Sequence, residues 1–141
     1  MGAFDESGDR YTTPAIEEWM VGEAQPNPLR EKSFGFAFEI VELNRTLVLE
    51  HEYVISKQLM RSGTAVGAIV EEAIGAESRR DFLHKMSMAH KEAREVHYWL
   101  RLLDVSAFLS KTDMAGPINR AEELVRLLTA ITRTVKKSTN T

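Results

Sequence analysis

Two neighbouring stretches, residues 53–72 and 78–103, constrain what this chain can become. In and just beyond the first, Ile55, Leu59, Ser62, Val66, Ile69, Ala73 and Ala76 recur at steps of four and three. In the second, Phe82, Met86, Ala89, Ala93, Val96, Leu100 and Leu103 repeat the same steps. An α-helix turns 100° per residue, so each set lies on one narrow stripe, the seam by which helices pack at shallow angles. No segment alternates with period two over a useful length. The spacing therefore predicts an all-α protein built from long helices.

Two further stripes complete the set. Phe36, Ile40, Leu43 and Leu47 form one, flanked by Phe34, Phe38, Val41 and Val48, which predicts a helix with a broad apolar face starting at the Ser33 cap. A tight turn is expected at residues 50–52. Gly75 ends the second helix, and Ser78 with Asp81 reads as the cap of the third, which runs to about Ser106. The stretch SKTDMAGP stops it. Asn119 with Glu122 reads as the cap of a fourth helix carrying Ala121, Leu124, Leu128, Ile131 and Val135. Four amphipathic helices with short connections bury their stripes most simply as an antiparallel up-and-down four-helix bundle, here over residues 32–138.

Residues 1–31 differ in kind. They hold seven acids against Arg10 and Arg30, a net of −5, whereas the remainder holds 14 acids and 16 bases, a net of +2. Pro14, Pro26 and Pro28 punctuate this acidic, irregular N-terminal arm, and PNP favours extended backbone. A short helix near 14–21 would place Ala15, Ile16, Trp19 and Met20 on one face. Either the arm is a disordered leader, or Trp19 anchors it to the bundle or to a neighbouring subunit.

Chemistry is sparse. With no cysteine in 141 residues, disulfides, thiolate metal sites and cysteine nucleophiles are excluded. No glutamate is followed three residues later by histidine, so the di-iron pattern of helical bundles is missing, and neither HExxH nor GxxxxGK[ST] occurs. These observations argue against an enzyme and against any metal or cofactor. No apolar run approaches the roughly 18–20 residues of a membrane span, and the N-terminus has no apolar signal core, so a cytoplasmic protein is expected. A pI near 5.8 is far from that of a dedicated nucleic-acid binder.

What remains are charged and interfacial residues. Lys57 and Arg61 lie four apart, Arg79, Arg80 and Lys85 open the third helix, Lys91 follows, and Arg133, Lys136 and Lys137 cluster near the end. These are either a solvated surface with local ion pairs or a patch for a phosphate backbone. Gly63 and Gly67 leave a flat strip, serving either close packing within the chain or a subunit contact. Adjacent Tyr98 and Trp99 point about 100° apart and cannot both face the core, so one is expected at an interface.

Across KSFGFAFEIVEL, YVISKQLMRSGTAVGA with EEA, and SRRDFLHKMSMAHKEAREVHYWLRLL, the chain resembles a bacterial family of four-helix-bundle proteins. The family was first named for reading frames in intervening sequences of 23S ribosomal RNA genes. The resemblance runs from about Lys32 to Lys137. Relatives include the accessory protein of diversity-generating retroelements, which assists a reverse transcriptase and binds nucleic acid. The resemblance implies a left-handed bundle assembled as a ring-like homopentamer, which would give Gly63, Gly67, Tyr98 and Trp99 contacts to make; Trp19, on the arm outside the resemblance, is expected at an interface only as the anchor described above. It also implies association with structured RNA or ribosomes, for which the basic residues above are the candidates; the alternative is a protein–protein adaptor that engages a polymerase or another partner through its helix faces or the Trp19 arm. Two features depart from the family: Ala68-Ile69-Val70 replaces the common GANI, which implies a drier seam at Ile69, and the acidic arm is additional.

Overall fold

The computed structural model describes residues 27–106, 109 and 112–139. These form an up-and-down bundle of four helices: α1 (Pro28–Leu49), α2 (Val54–Ile74), α3 (Arg79–Ser106) and α4 (Ala115–Thr139). The expectations for residues 1–26, including the helix near 14–21 and the anchoring Trp19, lie outside the described residues.

α1 begins five residues before the expected Ser33. The prolines of PNP do not break the helix; they launch it. Asn27, held extended by the proline after it, accepts the Arg30 N–H at 2.9 Å, while Pro28 takes the first helical position, where no N–H is needed. Ser33 is buried inside the helix and donates its hydroxyl to the Arg30 carbonyl. The stripe Phe36, Ile40, Leu43 and Leu47 is buried as expected. The flanking apolar row is not. Phe34 is 76% exposed and Phe38 62%, and Val48 is also exposed, because at 100° per residue these positions point more than 90° away from the buried stripe, on the outer face of α1.

α1 ends in a hydrogen-bonded reversal. His51 takes a left-handed φ of 64°, its N–H donates to Val48 O, and the Glu52 N–H reaches back to Leu47 O at 2.9 Å. That is a Schellman ending with histidine where glycine is usual, which explains a sharp turn without a sequence breaker. Glu52, itself buried, then caps α2. Its carboxylate accepts from the N–H groups of Val54 (3.2 Å), Ile55 (2.9 Å) and Ser56 (2.6 Å).

α2 is rotated slightly from its expected stripe. Ser56, Gly63, Val70 and Ile74 are buried, while Ile55 and Ile69 sit half-buried at the margin. Val70 therefore fills the seam position assigned to Ile69. Ser62, fully buried, satisfies its hydroxyl on the Gln58 carbonyl at 2.9 Å. Gly63 and Gly67 face α1 within the same chain. A Cβ on Gly63 would lie 2.8 Å from Ile40 Cγ2, and one on Gly67 would lie 3.2 Å from the Ser33 carbonyl oxygen. The strip thus serves close α1–α2 packing and is not an outward surface. Asn44 Nδ2 donates to Ser56 O across the same pair of helices.

All seven expected residues of the α3 stripe are buried, as are all five of α4. Ser78 caps α3, accepting the Asp81 N–H, while Asp81 reaches back to the Glu77 N–H. α4 starts at Ala115, four residues before the expected cap at Asn119. Asp113 accepts the Ala115 N–H at 3.0 Å, and Pro117 lies buried within the first turn, where a missing N–H costs little. No helix among the described residues is long and apolar enough to cross a membrane.

Candidate nucleic-acid interface

The expected basic residues do not form one patch, because the fold has already spent several of them. Arg61 bridges α2 to α3, donating to Glu92 at 3.1 Å and to Glu95, which also accepts the Trp99 indole N–H at 2.9 Å. The Trp99 and Arg61 hydrogen bonds hold the Glu95 carboxyl below the usual carboxylate range. Trp99 is half-buried against the core, and Tyr98 turns outward with the two rings edge to face at 5.0 Å. Lys85 pairs with Asp81 one turn earlier at 3.1 Å, and Arg79 donates to Ser138 on α4 at 2.9 Å. Lys57, Arg80 and Lys91 are exposed on separate stretches of surface. Lys91 follows His90 and so points 100° round α3 from it.

A different cationic surface emerges where α3 meets α4. On α3, His90, Arg94, His97 and Arg101 follow steps of four, three and four. On α4, Glu122, Arg126, Thr129, Arg133 and Lys136 follow the same rhythm, so each row lies along one helix face. Two hydrogen bonds set the register: His97 Nε2 to Glu122 Oε2 at 3.3 Å, and His90 Nε2 to Thr129 Oγ1 at 2.9 Å. Arg94, His97, Arg101, Glu122, Val125 and Arg126 consequently line one groove of about 520 Å³. Among the described residues, the side chains of Arg94, Arg101 and Arg126 make no hydrogen bond or ion pair. Arg133, exposed about two turns beyond Arg126, and Lys136 extend the strip toward the end of α4. Of the residues expected from sequence, only this α4 group joins it.

Arg94, Arg101 and Arg126 were not singled out by the sequence. Arg94 stands in KEAREVH among acids, which reads as a solvated face with local pairs. The signal was the four-three-four spacing on both helices, but only their mutual register shows that the two rows abut.

His90 illustrates the local field. Burial first, then the positive charges of Arg94 and Lys136, push its imidazole below the ordinary value near 6.5. Thr129 donates its hydroxyl to Val125 O at 2.7 Å, so the neutral ring must donate from Nε2. A depressed folded pKa means that the unfolded chain binds more protons, so this contribution to stability is complete above about pH 6.5 and is lost as pH falls through the folded value. Between pH 7.5 and 5.5, before most carboxylates titrate, the melting temperature of the wild type should therefore fall more than that of His90→Gln. Parallel profiles would refute the assignment.

Among the described residues, no group of three His, Asp or Glu side chains is placed to hold a metal ion. Comparison with known proteins then bears on the fold that carries this strip. Residues 27–130 match the family described as 23S rRNA-intervening sequence protein. The chain belongs to that family. It is also similar to the crystal structure of a protein of unknown function from the S23 ribosomal protein family of Bacteroides thetaiotaomicron. The two share 41% identity with a TM-score of 0.72, over 76% of this chain and 96% of that one. Curated protein sequences give no match. The family match opens at Asn27, the residue that caps α1, and takes in the whole groove; Arg133, Lys136 and Lys137 lie beyond it.

Proposed function

We propose that this chain is a non-enzymatic, self-associating helical scaffold, pentameric as its family resemblance implies, that presents the α3–α4 strip to the phosphate backbone of a structured RNA. The observation that carries this reading is the uneven distribution of paired charge. Arg30 is tied to Glu71, Lys32 to Glu123, Arg61 to Glu92 and Glu95, and Arg120 to Glu39, whereas Arg94, Arg101 and Arg126 stand together without an acid bound to any of them. Arginines held this way keep their charge for an external anion. Self-association is supported by the large apolar side chains left in solvent, Phe34 and Phe38 on α1 with Met88 and Tyr98 on α3.

The test is a titration of labelled structured ribosomal RNA with the full chain at several salt concentrations, with the assembly mass followed by light scattering. Arg94→Gln and Arg133→Gln should each weaken binding and shallow the log–log salt slope by roughly one unit. An unchanged slope in both would remove the RNA reading. The second reading, a protein–protein adaptor, rests on the exposed Phe34 and Phe38: Phe38→Ser would then abolish partner capture and leave RNA affinity as it was.

A further inference from the structure

Within the strip, the groove between α3 and α4 differs from its surroundings in shape as well as charge. Three guanidinium groups reach it from two helices, whereas Arg133 and Lys136 lie along the open face of α4. The hydrogen-bonded pairs 90–129 and 97–122 place Arg126 level with Arg94 across the groove. Arg101 stands seven residues further along α3, about 10.5 Å by helical rise, a span that two leaning arginine side chains can close. Glu122 is the sole carboxylate in the lining, and it is engaged by His97. Three arginines against one glutamate leave a charge of +2 with the histidine neutral. A backbone phosphodiester carries one negative charge. A phosphomonoester carries close to two at neutral pH, with three oxygens to accept from guanidinium forks.

We propose that this groove, lined by Arg94, His97, Arg101 and Arg126, is a site for a phosphomonoester dianion. The inference rests on the strip reading above and narrows it: the strip follows the chain of a nucleic acid, and the groove takes a terminal phosphate. The same chemistry would be supplied by a free phosphorylated molecule. Arg94 and Arg126 grip the phosphoryl oxygens from opposite walls, Arg101 closes the third side, and His97 keeps Glu122 turned away from the anion.

The test compares, by calorimetry on the full chain, a short RNA oligonucleotide bearing a 5′-phosphate with the same oligonucleotide ending in a 5′-hydroxyl. A nucleoside 5′-monophosphate is compared with its nucleoside in a parallel arm. The phosphorylated oligonucleotide should bind at least about tenfold more tightly, equivalent to about 1.4 kcal/mol. Arg126→Gln and Arg101→Gln should erase that ratio, whereas Arg133→Gln, outside the groove, should weaken both oligonucleotides alike and preserve it. Equal affinity for the two oligonucleotides and no binding of the monophosphate would overturn the proposal, even where salt-sensitive RNA binding persists. Binding of the monophosphate with no discrimination between oligonucleotides supports the site and assigns it to a small phosphorylated molecule. No binding in either arm overturns the site, while the structured-RNA titration decides the RNA reading separately.

Discussion

Replacing Glu52 with alanine should destabilise the bundle by about 2–3 kcal/mol, a large part of the 5–15 kcal/mol typical of a whole domain. One buried carboxylate accepts three backbone N–H groups, those of Val54, Ile55 and Ser56, which have no acceptor within their own helix. Hydrogen bonds to a charged acceptor are worth more than neutral ones, and truncation leaves the donors facing a space that alanine cannot fill. Glutamine should recover less than half of the loss, because its amide presents N–H groups to N–H groups on one side. Thermal melts followed by circular dichroism should show a fall on the order of 10 °C for Glu52→Ala. A change within about 0.5 kcal/mol of wild type, the range of an ordinary surface substitution, would mean that solvent replaces the cap at no cost.

The second large effect is a reversal of sign. Gly63→Ala should destabilise the wild-type chain, since the added methyl carbon meets Ile40 Cγ2 at 2.8 Å, Cγ1 at 2.9 Å and Cβ at 3.2 Å. A β-branched side chain in a helix has essentially one χ1 rotamer and cannot swing aside. Overpacking of this kind costs about 1–3 kcal/mol, against about 1 kcal/mol gained from alanine's helix propensity. Once Ile40→Ala has removed the two nearest carbons, at its own cost of about 2–5 kcal/mol, and left only the Cβ at 3.2 Å, a contact that a shift of a few tenths of an ångström relieves, the same Gly63→Ala change should stabilise by up to about 1 kcal/mol. Denaturant melts of the four proteins in this cycle should give a coupling of about 1–3 kcal/mol, the size of the overpacking itself. Additive effects would show that Gly63 is chosen for something other than room for α1.

The architecture was legible because helical burial is periodic and local. Every residue of the α3 stripe from Phe82 to Leu103 is buried, and so is each of those on α4 from Ala121 to Val135. Most of the departures involve information that one helix does not carry. Pro28 has the same chemistry whether it breaks a helix or opens one, and the choice depends on what Asn27 and Leu29 meet. Phe34 and Phe38 add apolar residues to α1, yet they lie nearly opposite Phe36 on the helix, and none of the other described helices covers that side. Glu52 reads as one more acid in a polar turn until His51 adopts its left-handed conformation and folds the carboxylate back over α2. The groove is the extreme case. Arg94, Arg101 and Arg126 come together only through the register of α3 on α4, which the pairs His90–Thr129 and His97–Glu122 set. For Arg61 and Lys85 the sequence left open a solvated surface with local ion pairs or a patch for phosphate, and the fold ties both to acids.

The up-and-down course has a mechanical consequence. Arg30 pairs with Glu71 near the end of α2, and Arg79 reaches Ser138 near the end of α4, so α1 begins and α4 ends at the same pole as the α2–α3 turn. A load applied between Asn27 and Thr139 therefore acts across the helix axes rather than along them. The outermost turns of the seams that hold α1 to α2 and α4 to α3 bear the load together with the α1–α4 seam. The bundle unzips from that pole, releasing α1 and α4 turn by turn, where a fold with its ends at opposite poles would have to shear whole helices at once.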